Sequence, residues 1–341
     1  MGIDKVSPSS RPMAGSLPGI RSKSVLAGVV AAVAAGVAPS ASAEIELGEG
    51  LSVTGFADMS FFSSDIDGSP SSDSFGIDQF EIDFLYKGSA GVSAQVDIEY
   101  GESSAGDPAD DTTFVEQAFI TKQFTDQFSM KAGRFLSYSG WETEEPTGLF
   151  QYSGVGYAPA FYGYYQQGIS AYYDAGMVDF MASVVNSVFD PLDRDASELS
   201  YEVGVAFQPM EGLTAKAFYL FEKVDALDDE TTVINAWLSY AFSGFTLAAE
   251  YNTADYADGG DGDGFLLMAN YATGPWGITA RYHDWEVENT ALAPTGKVSG
   301  FTISPSYKVG DNLLLVAEYR MDDYSGGVDG NSIALEALFT F

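Results

Sequence analysis

Hydrophobic and polar positions alternate along most of this chain. From Asp78 to Lys87, Phe80, Ile82, Phe84 and Tyr86 fall on one face, while Gln79, Glu81, Asp83 and Lys87 fall on the other. Successive side chains of a strand point to opposite faces, so the pattern predicts a strand with one apolar and one charged side. The next segment repeats it, with Val92, Ala94, Val96, Ile98 and Tyr100 opposing Ser93, Gln95, Asp97 and Glu99. Ser89 and Ala90, flanked by glycines, join the two in a tight hairpin. The same unit recurs in Leu199–Phe207, Ile234–Phe242, Phe245–Asn252, Leu313–Arg320 and Ile333–Phe341.

About 16 segments of roughly 9–13 residues follow this rule, the length and alternation of outer-membrane strands. Their expected spans are 50–62, 77–88, 91–102, 113–125, 127–136, 166–174, 176–188, 198–208, 212–223, 231–242, 244–256, 263–273, 275–287, 297–308, 311–323 and 330–341. The fourth to seventh are the least regular. In 113–125, Phe114 and Ile120 share a face with Glu116 and Lys122. Connections alternate in length. Short turns fall at 89–90, 126, 175, 209–211, 243, 274 and 309–310. Long loops fall at 63–76, 103–112, 137–165, 189–197, 224–230, 257–262, 288–296 and 324–329. Short turns on one side and long loops on the other mark an outer-membrane barrel.

Volume decides which way the apolar face looks. A ring of 16 strands is too wide for side chains to fill and encloses an aqueous channel. The apolar face then looks outward, where only lipid accepts it, and closure satisfies the backbone within the bilayer. Aromatic residues gather at both strand ends. Tyr86, Phe207, Tyr240, Phe242, Phe245, Tyr271, Trp276 and Tyr307 lie near short turns, and Phe61, Tyr100, Tyr219, Tyr251, Tyr282 and Tyr319 near long loops. Two such belts fit the aromatic girdles of membrane interfaces. The expected fold is an all-β transmembrane antiparallel barrel of about 16 strands with a long third extracellular loop.

Composition narrows the chemistry. The chain has 341 residues, 49 acidic and 15 basic, a formal charge of −34, no cysteine and one histidine. Such charge repels a nucleic-acid backbone, so no nucleic-acid partner is expected. Zero cysteine excludes disulfides and thiolate metal sites. The 46% apolar content excludes compositional disorder. Residues 1–24 carry Lys5, Arg11, Arg21 and Lys23, an apolar run spans Val25–Val37, and Ala41-Ser42-Ala43 supplies small residues. This predicts an export signal over 1–43, cleaved after Ala43, with Met1 or Met13 as the start. The run is too short to span a bilayer, and no later segment approaches a transmembrane helix. The barrel then occupies 44–341 and carries a charge of −37.

The C-terminal strand ends on Phe341, as outer-membrane barrels characteristically do. The segments Lys131-Ala132-Gly133-Arg134-Phe135-Leu136, Gly140-Trp141-Glu142 and Gln167-Gly168-Ile169-Ser170-Ala171-Tyr172-Tyr173 are similar to motifs of the β-barrel porin family described as OmpL-like. The motifs cover about 45 residues and the architecture covers the mature chain. Gln166-Gln167 stand where the family usually places a His. The resemblance implies a Gram-negative outer-membrane channel for small hydrophilic solutes and ions. It also implies a lipid surround, Phe341 as the signal read by the barrel-insertion machinery, and a homotrimer. No cofactor is implied.

Loop 137–165 holds Glu142, Glu144 and Glu145 with Tyr152, Tyr157, Phe161, Tyr162, Tyr164 and Tyr165. By length and position it resembles the third loop of general porins, which folds into the lumen and narrows it. It forms an acidic, aromatic constriction, or it packs over the barrel mouth or a neighbouring subunit. Strand parity turns Lys216, Arg281 and Arg320 inward, with Lys131 or Arg134 near the loop's base. The inward acids are Asp83, Asp97, Glu99, Glu202, Glu250, Glu318 and Glu336. A transverse field between loop acids and wall bases would orient solutes and set ion preference. The long loops hold 20 acids against Arg194 alone, a net −19 over 90 residues, which predicts cation selectivity. Asp258, Asp261 and Asp263 do not match a Ca²⁺-loop spacing and read as solvated loop acids. His283 reads as a wall residue, and no metal or catalytic centre is expected. A substrate-specific channel with a sugar-stacking track, and a non-conducting structural or adhesive barrel, remain as alternatives.

Overall fold

The computed structural model describes residues 44–101, 112–142, 145–224 and 226–341. The expected leader, most of loop 103–112 and Glu144 lie outside the described residues.

Among the described residues, seventeen strands form one sheet: β1 (Ile45–Gly48), β2 (Leu51–Ile66), β3 (Ser72–Lys87), β4 (Val92–Gly101), β5 (Thr112–Gln123), β6 (Phe128–Leu136), β7 (Tyr165–Asp174), β8 (Val178–Val185), β9 (Ser200–Met210), β10 (Leu213–Val224), β11 (Asp229–Phe242), β12 (Phe245–Asp255), β13 (Asp261–Thr273), β14 (Trp276–Glu288), β15 (Gly296–Val309), β16 (Leu313–Tyr324) and β17 (Val328–Thr340). Consecutive strands from β2 to β17 pair antiparallel, and β17 pairs back onto β2, which closes a 16-stranded barrel. Every span expected from the alternation is a strand. The short β1 was not foreseen. It pairs Ile45 with Val53 on β2, continuing the line that β17 leaves at its C-terminal end. The β2–β3 hairpin is longer than expected, pairing out to Ser64 and Ser72. Ser63 and Ser64 interrupt the apolar series there, so hydropathy fades before the hydrogen bonds do.

Burial follows the period of two. On β12, Thr246, Ala248, Glu250, Asn252 and Ala254 are buried, while Phe245, Leu247 and Tyr251 are exposed. The exposed series is apolar on strand after strand, for example Ile278 and Tyr282 on β14 and Ile333, Leu335 and Phe339 on β17. At the short-turn end, Tyr240, Phe242, Phe245 and Tyr271 form a run of adjoining rings with centroids 4.5–5.6 Å apart. Trp276 and Tyr307 extend this girdle, 4.6 Å apart. The turn between β11 and β12 takes φ values of 46° at Ser243 and 83° at Gly244. Two successive positive φ angles match the twist of the flanking strands. A Cβ on Gly244 would sit 2.6 Å from the Ala272 carbonyl oxygen.

The irregular fourth segment has a local cause. Asp97 pairs with Gln117 and Ile98 with Val115, so Glu116 is an extra residue, a β-bulge. The bulge turns Glu116 inward and buries it, while Ile120 stays exposed on the outer side. The parity conflict between these residues is thereby removed.

The inner face is less uniformly polar than the alternation suggests. Phe218 and Leu220 of β10, Leu266 and Met268 of β13, and Trp285 and Val287 of β14 all point inward and are buried. What covers them is the loop between β6 and β7.

Candidate functional site

The inserted loop spans 137–165 and begins where β6 ends. It contains a 3₁₀ turn (Pro146–Gly148) and one helical turn, α1 (Ala158–Phe161). Its two ends are tied together, with the Ser137 amide donating to the Tyr164 carbonyl at 3.0 Å. Tyr157, Phe161 and Tyr162 pack on the inward apolar side chains of β10, β13 and β14. This packing places the loop within the barrel, and its polar contacts run across the lumen.

Wall carboxylates accept from the loop. Glu250 accepts from Tyr157 Oη at 2.6 Å, the Trp141 amide at 2.8 Å, Asn235 Nδ2 at 2.7 Å, and Tyr162 Oη. Glu202 accepts from the Tyr138 amide at 2.8 Å, Ser137 Oγ at 3.0 Å and Gln166 Nε2 at 2.8 Å. Glu318 accepts from the Ser153 amide at 3.0 Å. The wall arginines donate to the loop. Arg281 Nη1 reaches Glu142 Oε1 at 2.6 Å and the Ser153 carbonyl at 2.6 Å. Arg320 donates to the Gly154 carbonyl at 2.7 Å and, within its own strand, to Asp322 at 2.7 Å. Glu142 also accepts from Gln151 Nε2 at 2.9 Å and the Val155 amide at 2.5 Å.

The backbone of a chain crossing a closed lumen needs partners that neighbouring strands cannot supply. Here the wall charges supply them. Charge-assisted hydrogen bonds are the stronger kind. The loop acid Glu142 and the wall base Arg281 are in direct contact, 2.6 Å apart. The two do not face each other across water.

The remaining candidates separate into three groups. Lys131 points inward, its Nζ 4.5 Å from the ring centroids of both Phe135 and Tyr138 and 5.4 Å from that of Phe119. Such ring faces stabilise a cation. Arg134 is placed differently. It aligns with Ala118 and Gln167 on the outward side, and its guanidinium donates to the Val115 carbonyl at 2.8 Å. The count of three residues from Lys131 puts it on the opposite face of β6. Lys216 Nζ lies 4.9 Å from the Trp237 ring, which meets Trp141 at 5.3 Å; Trp141 in turn stacks on Phe150 at 6.2 Å.

The third group is a sector of acids on β3–β5. Glu81 pairs directly with Glu99, and Asp83 with Asp97. Like charges directly opposite on neighbouring strands are unfavourable. Glu116 joins them through the bulge, and Glu145 arrives from the loop. Burial, and then the charges of Asp83 and Glu116, hold the Glu145 carboxyl well above the ordinary range. Among the described residues, none of Glu81, Asp83, Asp97, Glu99 and Glu116 forms an ion pair with a base. Glu81 and Glu116 were not singled out in the sequence. Glu81 stood on the polar face of its strand, and the bulge hid Glu116.

His283 is a buried wall residue of β14 with Nε2 3.4 Å from Asp322. Asp258 accepts from the Ala291 amide at 2.7 Å, tying two long loops together.

A closed 16-stranded barrel with an apolar outer face, aromatic girdle and lumen-crossing loop defines a porin-type outer-membrane protein. The sequence profile described as "Putative beta-barrel porin-2, OmpL-like" matches residues 55–341, and the chain belongs to this family. It is an outer-membrane β-barrel of the Gram-negative type. No curated relative matches the sequence. The fold is similar to the anion-selective porin of Comamonas acidovorans, with a TM-score of 0.66 at 13% identity, covering 85% of this chain and 99% of that one. It is also similar to OmpF of Salmonella typhi in complex with daunomycin, with a TM-score of 0.65 at 13% identity, covering 87% and 100%. The trimer form of OmpT from Vibrio cholerae gives a TM-score of 0.61 at 14% identity, covering 86% and 100%.

Proposed function

We propose that the barrel is a non-enzymatic channel for passive diffusion of small hydrophilic solutes, and that it favours cations. The observation that carries the sign is the carboxylate sector of Glu81, Asp83, Asp97, Glu99 and Glu116 on the lumen wall, with which no base among the described residues forms an ion pair. The wall arginines Arg281 and Arg320 are engaged by the loop and by Asp322, so they offer little to a passing anion. The long loops other than 137–165 hold 17 acids against Arg194 alone, a net −16, which concentrates cations at the mouth. On this reading, Glu142, Glu145 and the inward bases are the constriction. Reversal potential in a KCl gradient across a planar bilayer is the test. A potential of cationic sign is expected, and an anionic one would refute the selectivity. A folded barrel that never conducts would refute the channel and favour a structural or adhesive surface role.

A sugar-selective channel is a second reading, favoured by the rings of Phe150, Trp141 and Trp237 that adjoin one another beside Lys216. Liposome swelling across a sugar series separates the two, since simple diffusion follows size alone. We also infer a homotrimer, a reading supported by the trimer form of one similar barrel, OmpT of Vibrio cholerae. Unheated gel mobility against cross-linked standards tests it.

A further inference from the structure

We propose that the lumen holds a Ca²⁺ ion between Glu81 of β3, Glu116 of β5 and Glu145 of the inserted loop. Carboxylate oxygens of the three lie within 4.8 Å of one another. That is about twice a Ca²⁺–oxygen bond of roughly 2.3–2.6 Å. A second trio, Glu81, Asp83 and Asp97, shares Glu81 and extends the same oxygen-rich surface.

Acids near one another do not make a site. The independent observation is Glu116, whose side chain is 1% exposed and whose two carboxylate oxygens both lack a hydrogen-bond partner. Buried polar groups are nearly always bonded, and a buried carboxylate without donors is costly. A residue inserted by a bulge delivers this carboxylate inward, beside Glu81 Oε2, which is also unpartnered. Among the described residues, no base forms an ion pair with them. Lys131 sits among aromatic rings, and the arginines hold the far side of the loop. What remains to compensate them is a cation from outside the chain or protons shared among the carboxyls, and calorimetry separates the two.

The ligand set is oxygen only, which selects a hard cation over zinc or copper. Spread-out oxygens suit Ca²⁺ better than Mg²⁺, which demands bonds of about 2.0–2.1 Å in a near-ideal octahedron. The ion would have a structural consequence. The loop's hydrogen bonds reach β2, β3 at Asp78, β9, β11, β12, β14 and β16. Glu145 faces the acid sector of β3–β5, where a bound cation would turn repulsion into an anchor.

The site does not depend on which solutes pass, so its test needs no conductance. Folded barrel in detergent is stripped with EDTA, dialysed and titrated with CaCl2 by calorimetry, with melting followed in parallel. Wild type is expected to show one saturable site per chain and a higher melting temperature with Ca²⁺. Glu116→Gln is expected to lose at least tenfold in affinity and the thermal shift. Without Ca²⁺ it should melt no lower than wild type, because a repulsive charge has gone. A second variant, Glu81→Gln, should behave alike, and Asp261→Asn in an outer loop should bind as wild type does. No saturable binding by wild type, as expected if shared protons neutralise the acids, would overturn the proposal. So would full affinity in Glu116→Gln, and MgCl2 binding as tightly as CaCl2 would overturn the assignment to Ca²⁺.

Discussion

Phe341 closes the barrel on Gly55. Their backbones exchange two hydrogen bonds of 3.0 Å, and Thr54 Oγ1 donates to the Phe341 carbonyl at 2.9 Å. A Cβ on Gly55 would lie 2.8 Å from Phe341 Cζ and 2.2 Å from the Glu81 carbonyl oxygen. The terminal ring needs that gap, and it stacks on Phe339 and Phe80 at 6.2 and 6.3 Å. Gly55→Val should force the seam apart, since overpacking costs about 1–3 kcal/mol even where neighbours can yield. The expected outcome is a lower urea midpoint and less of the heat-modifiable folded band. Phe341→Ala keeps the seam's backbone bonds and should fall less in urea midpoint than Gly55→Val.

Arg281 and Glu142 form a buried ion pair that fastens the loop to β14. Arg281→Ala would leave Glu142 and the Ser153 carbonyl without their strongest donor. Breaking a buried pair at one partner costs about 3–5 kcal/mol. The urea midpoint should fall, and single-channel conductance should rise as the loop loosens. Arg281→Met combined with Glu142→Leu removes both charges and should recover much of the stability. A double variant no better than Arg281→Ala would show that the pair is not the fastening.

The barrel was legible because its signal is repeated on every strand. Each β12-like alternation states which side faces lipid, and closure follows from the number of strands. Inward positions of Lys216, Arg281, Arg320, Glu202, Glu250 and Glu318 follow from the same parity. Parity fails where the period breaks. The bulge hides Glu116, and Arg134 lies an odd number of residues from Lys131, so only one of the two can face inward. The path of the loop was not readable, because its partners Asn235, Glu250 and Arg281 are 88–139 residues away in sequence. The inward apolar patch of Phe218, Leu220 and Leu266 breaks the polar-in rule for the same reason. It exists to receive Tyr157, Phe161 and Tyr162.

The tie between the outer loops should respond to acid. The Asp258 carboxyl is held below its ordinary value, chiefly by the Ala291 amide. A lowered carboxylate pKa means that the unfolded or detached loop binds the proton more tightly. The tie is therefore fully present above about pH 3.9, the ordinary aspartate value, and is lost as pH falls through the lowered one. The Ala291 amide resonance should shift in that acid window and stay constant from pH 5 to 8. In Asp258→Asn the transition should vanish. A midpoint above the ordinary aspartate value would contradict the assignment.

Glu250 is the acceptor on which the loop's aromatic half converges. Tyr157, Tyr162, the Trp141 amide and Asn235 all donate to it, and burial together with the Glu250 charge raises both tyrosine hydroxyls well above their ordinary range. Glu250→Ala would orphan four donors in a site without water access, each left at about 1–3 kcal/mol when unsatisfied. Tyr157→Phe removes one donor and leaves the carboxylate three others, so it should lose about 1.5–3 kcal/mol, the range for a hydrogen bond to a charged group. The loop should then become open to protease in Glu250→Ala at concentrations that leave wild type and Tyr157→Phe intact. Limited digestion with chymotrypsin, which cuts after the loop's tyrosines, reads this directly. Equal cleavage of the two variants would mean that the loop is held by its apolar packing on Leu220, Leu266 and Val287, with Glu250 contributing little.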